Sequence, residues 1–234
     1  MEDLNKSLET SMFSKDAKDL AVDYSELALD NFIDNDVLSE IPIIKTILGI
    51  YKTGVGIKER FTLKKVAKFL FRLNNISEKE KADFLYKLSL KESYRNEVFE
   101  KLLILLDRLD DMEKAEITGN LFKATIQGKM SVATFYKFAS IVDKFYIEDF
   151  KEFCEKRDVL RNENNDLIYE IDSAILKNFT SLGLIAEEVK VVPAGLGGMP
   201  KSPYQYVISD LGRYLVSYAY PEYTTIVIRA NTKF

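Results

Sequence analysis

The recurrence of apolar residues at helical spacing constrains this chain more than any motif in it. Val98, Leu102, Leu105, Leu109 and Met112 form a stripe at steps of three and four along "EVFEKLLILLDRLDDMEKAEITGNLFKATIQGK", the period of one face of an α-helix. A turn near Glu113 would fold this run into an αα-hairpin. The same period marks residues 15 to 34, where Leu20, Tyr24, Leu27 and Phe32 alternate with acids. Start and stop signals divide the rest. Thr62 is a candidate N-cap for "TLKKVAKFLFRLNN", with the asparagine pair as its stop, and Ser77 and Glu80 have capping-box spacing. Ser131 precedes "VATFYKFASIVDKFY", and "IEDFKEFCEK" continues the helical pattern.

The pattern changes after the polar, asparagine-rich "RDVLRNENNDL", which reads as a loop between parts. Downstream, "EIDSAILKNFTSLGLI" predicts a helix stopped by Gly183, followed by a strand in "AEEVKVV" and the Gly/Pro-rich "PAGLGGMPKSP". A strand in "YQYVI", a helix capped by Ser209 and the β-rich "YTTIVIR" complete the chain. Helix, strand, long loop and strand in that order predict a winged-helix-like module with a small antiparallel β wing. The expected organisation is mainly α, with a helical body over 1–160 and the winged-helix-like domain over 161–234.

Composition removes several chemistries. The chain has 47% hydrophobic and 30% charged residues, which is globular rather than disordered. It contains no histidine and a single cysteine, Cys154. No Ser-His-Asp or Cys-His nucleophile, imidazole metal ligand or intramolecular disulfide can therefore be built. Cys154 reads as a helix packing residue. The N-terminal segment has no basic stretch followed by an apolar run, so no secretory signal is expected and the cytoplasm is the default compartment. We expect no cofactor and no enzymatic activity.

"IPIIKTILGIYKTGVGI", residues 41 to 57, invites three interpretations. It is shorter than the ~20 apolar residues of a spanning helix and contains Lys45 and Lys52. Its Gly-x-Gly lacks the Gly-Lys-Ser/Thr ending of a phosphate loop. What remains is an amphipathic helix with Ile44, Ile47, Leu48, Tyr51 and Val55 on one face. In the next helix Lys64, Lys65, Lys68 and Arg72 fall within about 100° of arc. With Lys45, Lys52, Lys58 and Arg60 they make eight bases against one acid, Glu59, between 45 and 72, in a chain of net charge −4. Such a face suits a protein partner or an anionic surface at the inner membrane face. Residues 1 to 40 hold eleven acids and three bases, so neutralisation within the chain is the competing expectation.

Carboxylates cluster at Asp107, Asp110 and Asp111, with Glu113/Glu116 and Glu152/Glu155 as E-x-x-E pairs. Paired acids on adjacent helices can hold Mg²⁺, but Lys114 and Arg108 lie beside them as ordinary partners, and no metal site is expected. The winged-helix module offers a DNA reader only Lys177 and Asn178 on its recognition helix and Lys190 and Lys201 in its wing. Residues 166 to 215 carry six acids against four bases, a poor balance for neutralising phosphates. A DNA-binding regulator, which would be a homodimer, is therefore the alternative to a non-enzymatic interaction protein.

The run from "LLILLDRLDD" through "FYKFASIVDKF" to "LKNFTSLGLI" and "YVISDLGRYL" resembles Abi-alpha-like proteins, a bacterial family linked to abortive infection. The resemblance covers about the last half of the chain and rests on order: helical body, leucine-glycine turn, wing, tyrosine-containing strand, helix. It implies a bacterial or mobile-element protein acting in phage defence. No catalytic signature accompanies it, so it assigns no functional residue.

Overall fold

A computed structural model describes residues 2–13, 40–50, 56–156, 172–189 and 204–220. The helix expected over 15–34, the wing residues 190–203 and the "YTTIVIR" strand lie outside them. Among the described residues there are ten helices and one antiparallel pair of strands, arranged as two units, Met1–Asp143 and Lys144–Phe234.

The first unit contains α1 (Glu2–Phe13), α2 (Pro42–Ile50), α3 (Ile57–Phe71), α4 (Glu78–Ser89), α5 (Glu92–Arg108), α6 (Met112–Ile126) and α7 (Val132–Lys144). Helix α3 lies against α6, and α5 packs on α1, α3 and α4. The buried faces are those the helical period picks out: Leu63, Val66 and Leu70 on α3, and Val98, Leu102 and Leu105 on α5. Phe122 sits at the centre, 5.7 Å from Phe69, 5.7 Å from Phe84 and 4.9 Å from Phe135, tilted or edge-on to each. Aromatic rings favour such tilted geometry because ring edges are positive and faces negative.

Capping signals place several helix starts. Ser77 and Glu80 form a reciprocal capping box on α4, and the Ser131 hydroxyl accepts from the Thr134 amide at 3.0 Å. Two boundaries differ from expectation. Helix α3 begins at Ile57 behind Gly56, and Thr62, one turn inside it, donates instead to Asp107 Oδ1 at 2.8 Å. The αα-hairpin break falls at Leu109–Asp111, because the Asp111 carboxylate accepts the Glu113 amide and starts α6 there. Gly119 allows α3 and α6 to approach closely, since a Cβ there would lie 2.7 Å from both the Phe69 carbonyl oxygen and Arg72 Cβ.

The second unit contains α8 (Ile147–Lys156), α9 (Ser173–Ser181), β1 (Ile185–Val189), β2 (Tyr204–Ile208) and α10 (Asp210–Ala219). It starts at Lys144, whereas the sequence places the boundary at about residue 160. Phe145, Phe150 and Phe153 are buried and gather around Phe179 of α9, with Phe153 and Phe179 centroids 4.9 Å apart. Helix α8 therefore belongs to this unit, and Cys154 is buried in it. Gly183 takes φ +76° after α9, the left-handed turn in which glycine is unstrained. β1 and β2 pair antiparallel from Ile185↔Ile208 to Val189↔Tyr204. Ser209 caps α10 by accepting from Gly212 N at 2.9 Å while donating to the Gly183 carbonyl at 2.6 Å.

Candidate docking groove and the basic face

Helices α5 and α7 of the first unit do not close on one another. Between them runs a groove of about 500 Å³. On α5 its wall is Tyr94, Glu97, Val98, Lys101, Ile104, Leu105 and Arg108, spaced to share one helix face. Apart from Tyr136 and Val132, the facing positions of α7 are the short Ala133, Ala139 and Ser140, which cannot fill the space that larger residues would close. Ile104 is 51% exposed and Tyr94 39% exposed as a result. Tyr136 lines the groove from α7, its hydroxyl donating to the Val98 carbonyl at 2.6 Å. Burial, aided by neighbouring Tyr94 and Glu97, pushes the Tyr136 phenol well above the ordinary tyrosine range. The Lys101 ammonium lies 6.0 Å from the centre of the Tyr136 ring and pairs with Glu97, while Arg108 pairs with Asp143 at 2.9 Å. The Lys101–Glu97 pair is exposed and therefore weak, while Asp143 is half-buried.

The basic residues named from the sequence are distributed among acids of the same unit. Lys45 lies 3.3 Å from Glu40 and Lys58 lies 3.7 Å from Asp107, both in exposed pairs. Lys68 and Arg72 share Glu116, Lys68 at 2.6 Å. Burial would raise the Glu116 pKa, but hydrogen bonds and positive charge from Lys68 and Arg72 outweigh it and hold the carboxyl below its usual range. Arg60 is exposed and Lys64 half-buried, and Lys52 lies outside the described residues. The competing expectation of neutralisation named the acids of residues 1–40. Of the pairs formed among the described residues, Lys45 takes Glu40 from that segment, whereas Lys58, Lys68 and Arg72 take acids of α5 and α6; residues 14–39 lie outside the described residues.

Lys65 corrects the expectation of an exposed stripe. Only 2% of it is accessible, and its Nζ donates to the backbone carbonyls of Asp107 and Leu109 at 2.6 Å each. It satisfies the end of α5, where carbonyls have no helical partner. A face computed from one helix cannot reveal an acceptor more than forty positions away. Lys114, which the sequence places beside the acidic run as a partner, is buried as well. It is 2% exposed and reaches Asp110 at 2.7 Å.

The acidic run is taken up structurally. Asp107 accepts from Thr62, Asp110 pairs with Lys114 and Asp111 caps α6. Among the described residues no group of three or more His, Cys, Asp or Glu converges on a metal position. In the second unit Lys177 is exposed and Asn178 half-buried on α9, whose N-terminus is capped by Asp172 accepting from Ala174 N at 2.6 Å. Lys190 and Lys201 lie outside the described residues. No described helix is long and apolar enough to cross a membrane. The groove itself gave one readable signal, the short side chains along α7, which only its pairing with α5 makes meaningful. No family model, characterised protein or solved structure matches this chain.

Proposed function

We propose that this chain is a non-enzymatic interaction protein whose α5–α7 groove receives an amphipathic helix from a protein partner. The groove carries this reading: an apolar trough bordered by a long helix, with Ile104 left half-open to solvent. Helix-in-groove recognition reads apolar anchors at steps of three, four and seven. Lys101 and Arg108 stand seven residues apart on the α5 wall, about 10.5 Å or two helical turns. A partner helix with aliphatic residues between two acids two turns apart complements that wall if its acids displace Glu97 and Asp143 from the two cations. The resemblance to Abi-alpha-like proteins extends the proposal to phage defence.

A photo-cross-linking residue at Ala133 tests it in the native host. The expected result is one discrete adduct whose cross-linked peptide is an acidic amphipathic helix, lost on Ile104→Glu. The same probe at Asp83, on α4, should give none. An adduct indifferent to Ile104→Glu, or none at Ala133, overturns the proposal.

A second reading is favoured by Ile57, 89% exposed, and Phe61, one turn later and also exposed. Lys58, Arg60 and Lys64 surround them at the start of α3. Apolar side chains ringed by cations suit an anionic membrane surface. Co-sedimentation with anionic vesicles, lost on Ile57→Glu with Phe61→Glu and weakened by salt, is expected. Binding unaffected by those changes removes it. The order α9, β1, β2, α10 supports a winged-helix reading of the second unit. Its negative balance and the capping Asp172 favour a protein-contact role over DNA readout.

A further inference from the structure

One lysine of the first unit is half-buried without a counter-charge. Lys123, in the last turn of α6, donates to the Asn74 side-chain oxygen at 3.2 Å and pairs with no carboxylate among the described residues. Lys129, exposed just past the end of α6, has no such pair either. Arg72, at the end of α3, completes the group. Burial lowers the Lys123 pKa, and the positive charges of Lys129 and Arg72 lower it further, with Glu80 opposing them. A protein spends stability to keep one lysine partly desolvated beside other cations.

Local charges do not resolve the crowding. Among the described residues, Glu80 acts on Lys123 and Lys129, and Glu116 on Lys68 and Arg72. Glu116 is engaged by Lys68 and Arg72, and Glu80 by the capping box of α4. The C-terminal ends of α3 and α6 each supply about −0.5 charge and the N-terminus of α4 about +0.5. About +1.5 charge remains. An oxyanion would cancel it, accepting hydrogen bonds from the two ammonium groups, the guanidinium and the Asn74 amide.

We propose that the junction of the α3 C-terminus, the Asn74 turn and the α6 C-terminus binds a phosphate group, held by Lys123, Lys129 and Arg72. These residues lie apart from the α5–α7 groove, so this site stands or falls independently of the helix-docking proposal. The phosphate can come from a free phosphate compound or from a lipid headgroup.

The test is calorimetric titration of the full chain with inorganic phosphate at fixed ionic strength in chloride, beside co-sedimentation with phosphatidic acid vesicles. Wild type is expected to bind phosphate saturably, and Lys123→Gln with Lys129→Gln to weaken that binding at least about tenfold, since each charge-assisted hydrogen bond is worth about that much. Lys129→Gln alone, at an exposed turn, is expected to weaken it without disturbing the fold. Lys101→Gln, in the groove, should leave it unchanged. Vesicle binding lost in the same variants assigns the phosphate to lipid, and phosphate binding alone assigns it to a free compound. Absence of both, or binding equal in wild type and the lysine variants, overturns the site.

Discussion

Lys65 and Leu109 meet across 44 positions of sequence, the lysine ammonium 2.6 Å from the leucine carbonyl oxygen. The same ammonium reaches Asp107 O at 2.6 Å, so one buried side chain closes the C-terminus of α5 from α3. Lys65→Met keeps most of the volume and removes the donor. It leaves two carbonyls with less satisfaction, at a cost of about 1–3 kcal/mol by urea unfolding at neutral pH.

The same residue fixes a sign for alkaline pH. Burial lowers its pKa, with Asp107 and Asp110 opposing and Lys58 adding to the fall. The folded value therefore lies below the unfolded one, near 10.5. Between the two values the unfolded chain holds the proton and the folded chain does not, so stability from this group rises with pH. Wild type should gain on Lys65→Met as pH climbs toward 10.5. A gap between the two proteins that narrows over that range contradicts the assignment.

Glu116 makes the opposite prediction in acid. Its pKa is held below the usual value because Lys68 and Arg72 outweigh its burial. The stability it contributes is complete above the unfolded carboxylate range and is lost as pH falls through the folded value. Glu116→Gln should cost about 1–3 kcal/mol at neutral pH and flatten part of the acid limb. Unfolding free energy measured from neutral pH down to about pH 2 reads both effects. An unchanged acid limb would show that the Lys68 and Arg72 pairs carry no net stability.

Gly119 tests the contact between α3 and α6. A methyl group there meets backbone on α3, the Phe69 carbonyl, which cannot swing aside as a long side chain could. Gly119→Ala should therefore destabilise by about 1–3 kcal/mol, as overpacking does, although alanine is the better helix former by about 1 kcal/mol. A rise in the unfolding midpoint would mean that the helices separate at little cost.

Much of the first unit was legible because its signals are local. The Ser77–Glu80 capping box, the Ser131 cap and the apolar period of α5 each involve residues within a few turns, and each appears where the sequence puts it. The ends of elements were less legible: Thr62 has the chemistry of a cap but serves Asp107 instead. The boundary at Asp143 depends on Phe150 and Phe153 finding Phe179 more than twenty-five positions later. The candidate sites were least legible of all. Lys65 belongs to the cationic face by periodicity and to the interior by its acceptors, and the groove is a deficit of volume between two helices. Neither is a property of any one segment.

Tyr136 supplies the last test, because it lines the groove and reports on its shape. Its hydroxyl donates to the Val98 carbonyl at 2.6 Å, and burial pushes its phenol above the ordinary range. Removing the hydroxyl in Tyr136→Phe loses one hydrogen bond that ties α7 to α5, worth about 0.5–1.5 kcal/mol. In a spectrophotometric titration the phenolate absorbance gained up to about pH 11 should be the same in wild type and Tyr136→Phe, since this tyrosine ionises only beyond the ordinary tyrosine range. A deficit of one phenolate in the variant would mean that Tyr136 is open to solvent. The groove would then lack the ordered wall against which a partner helix is proposed to pack.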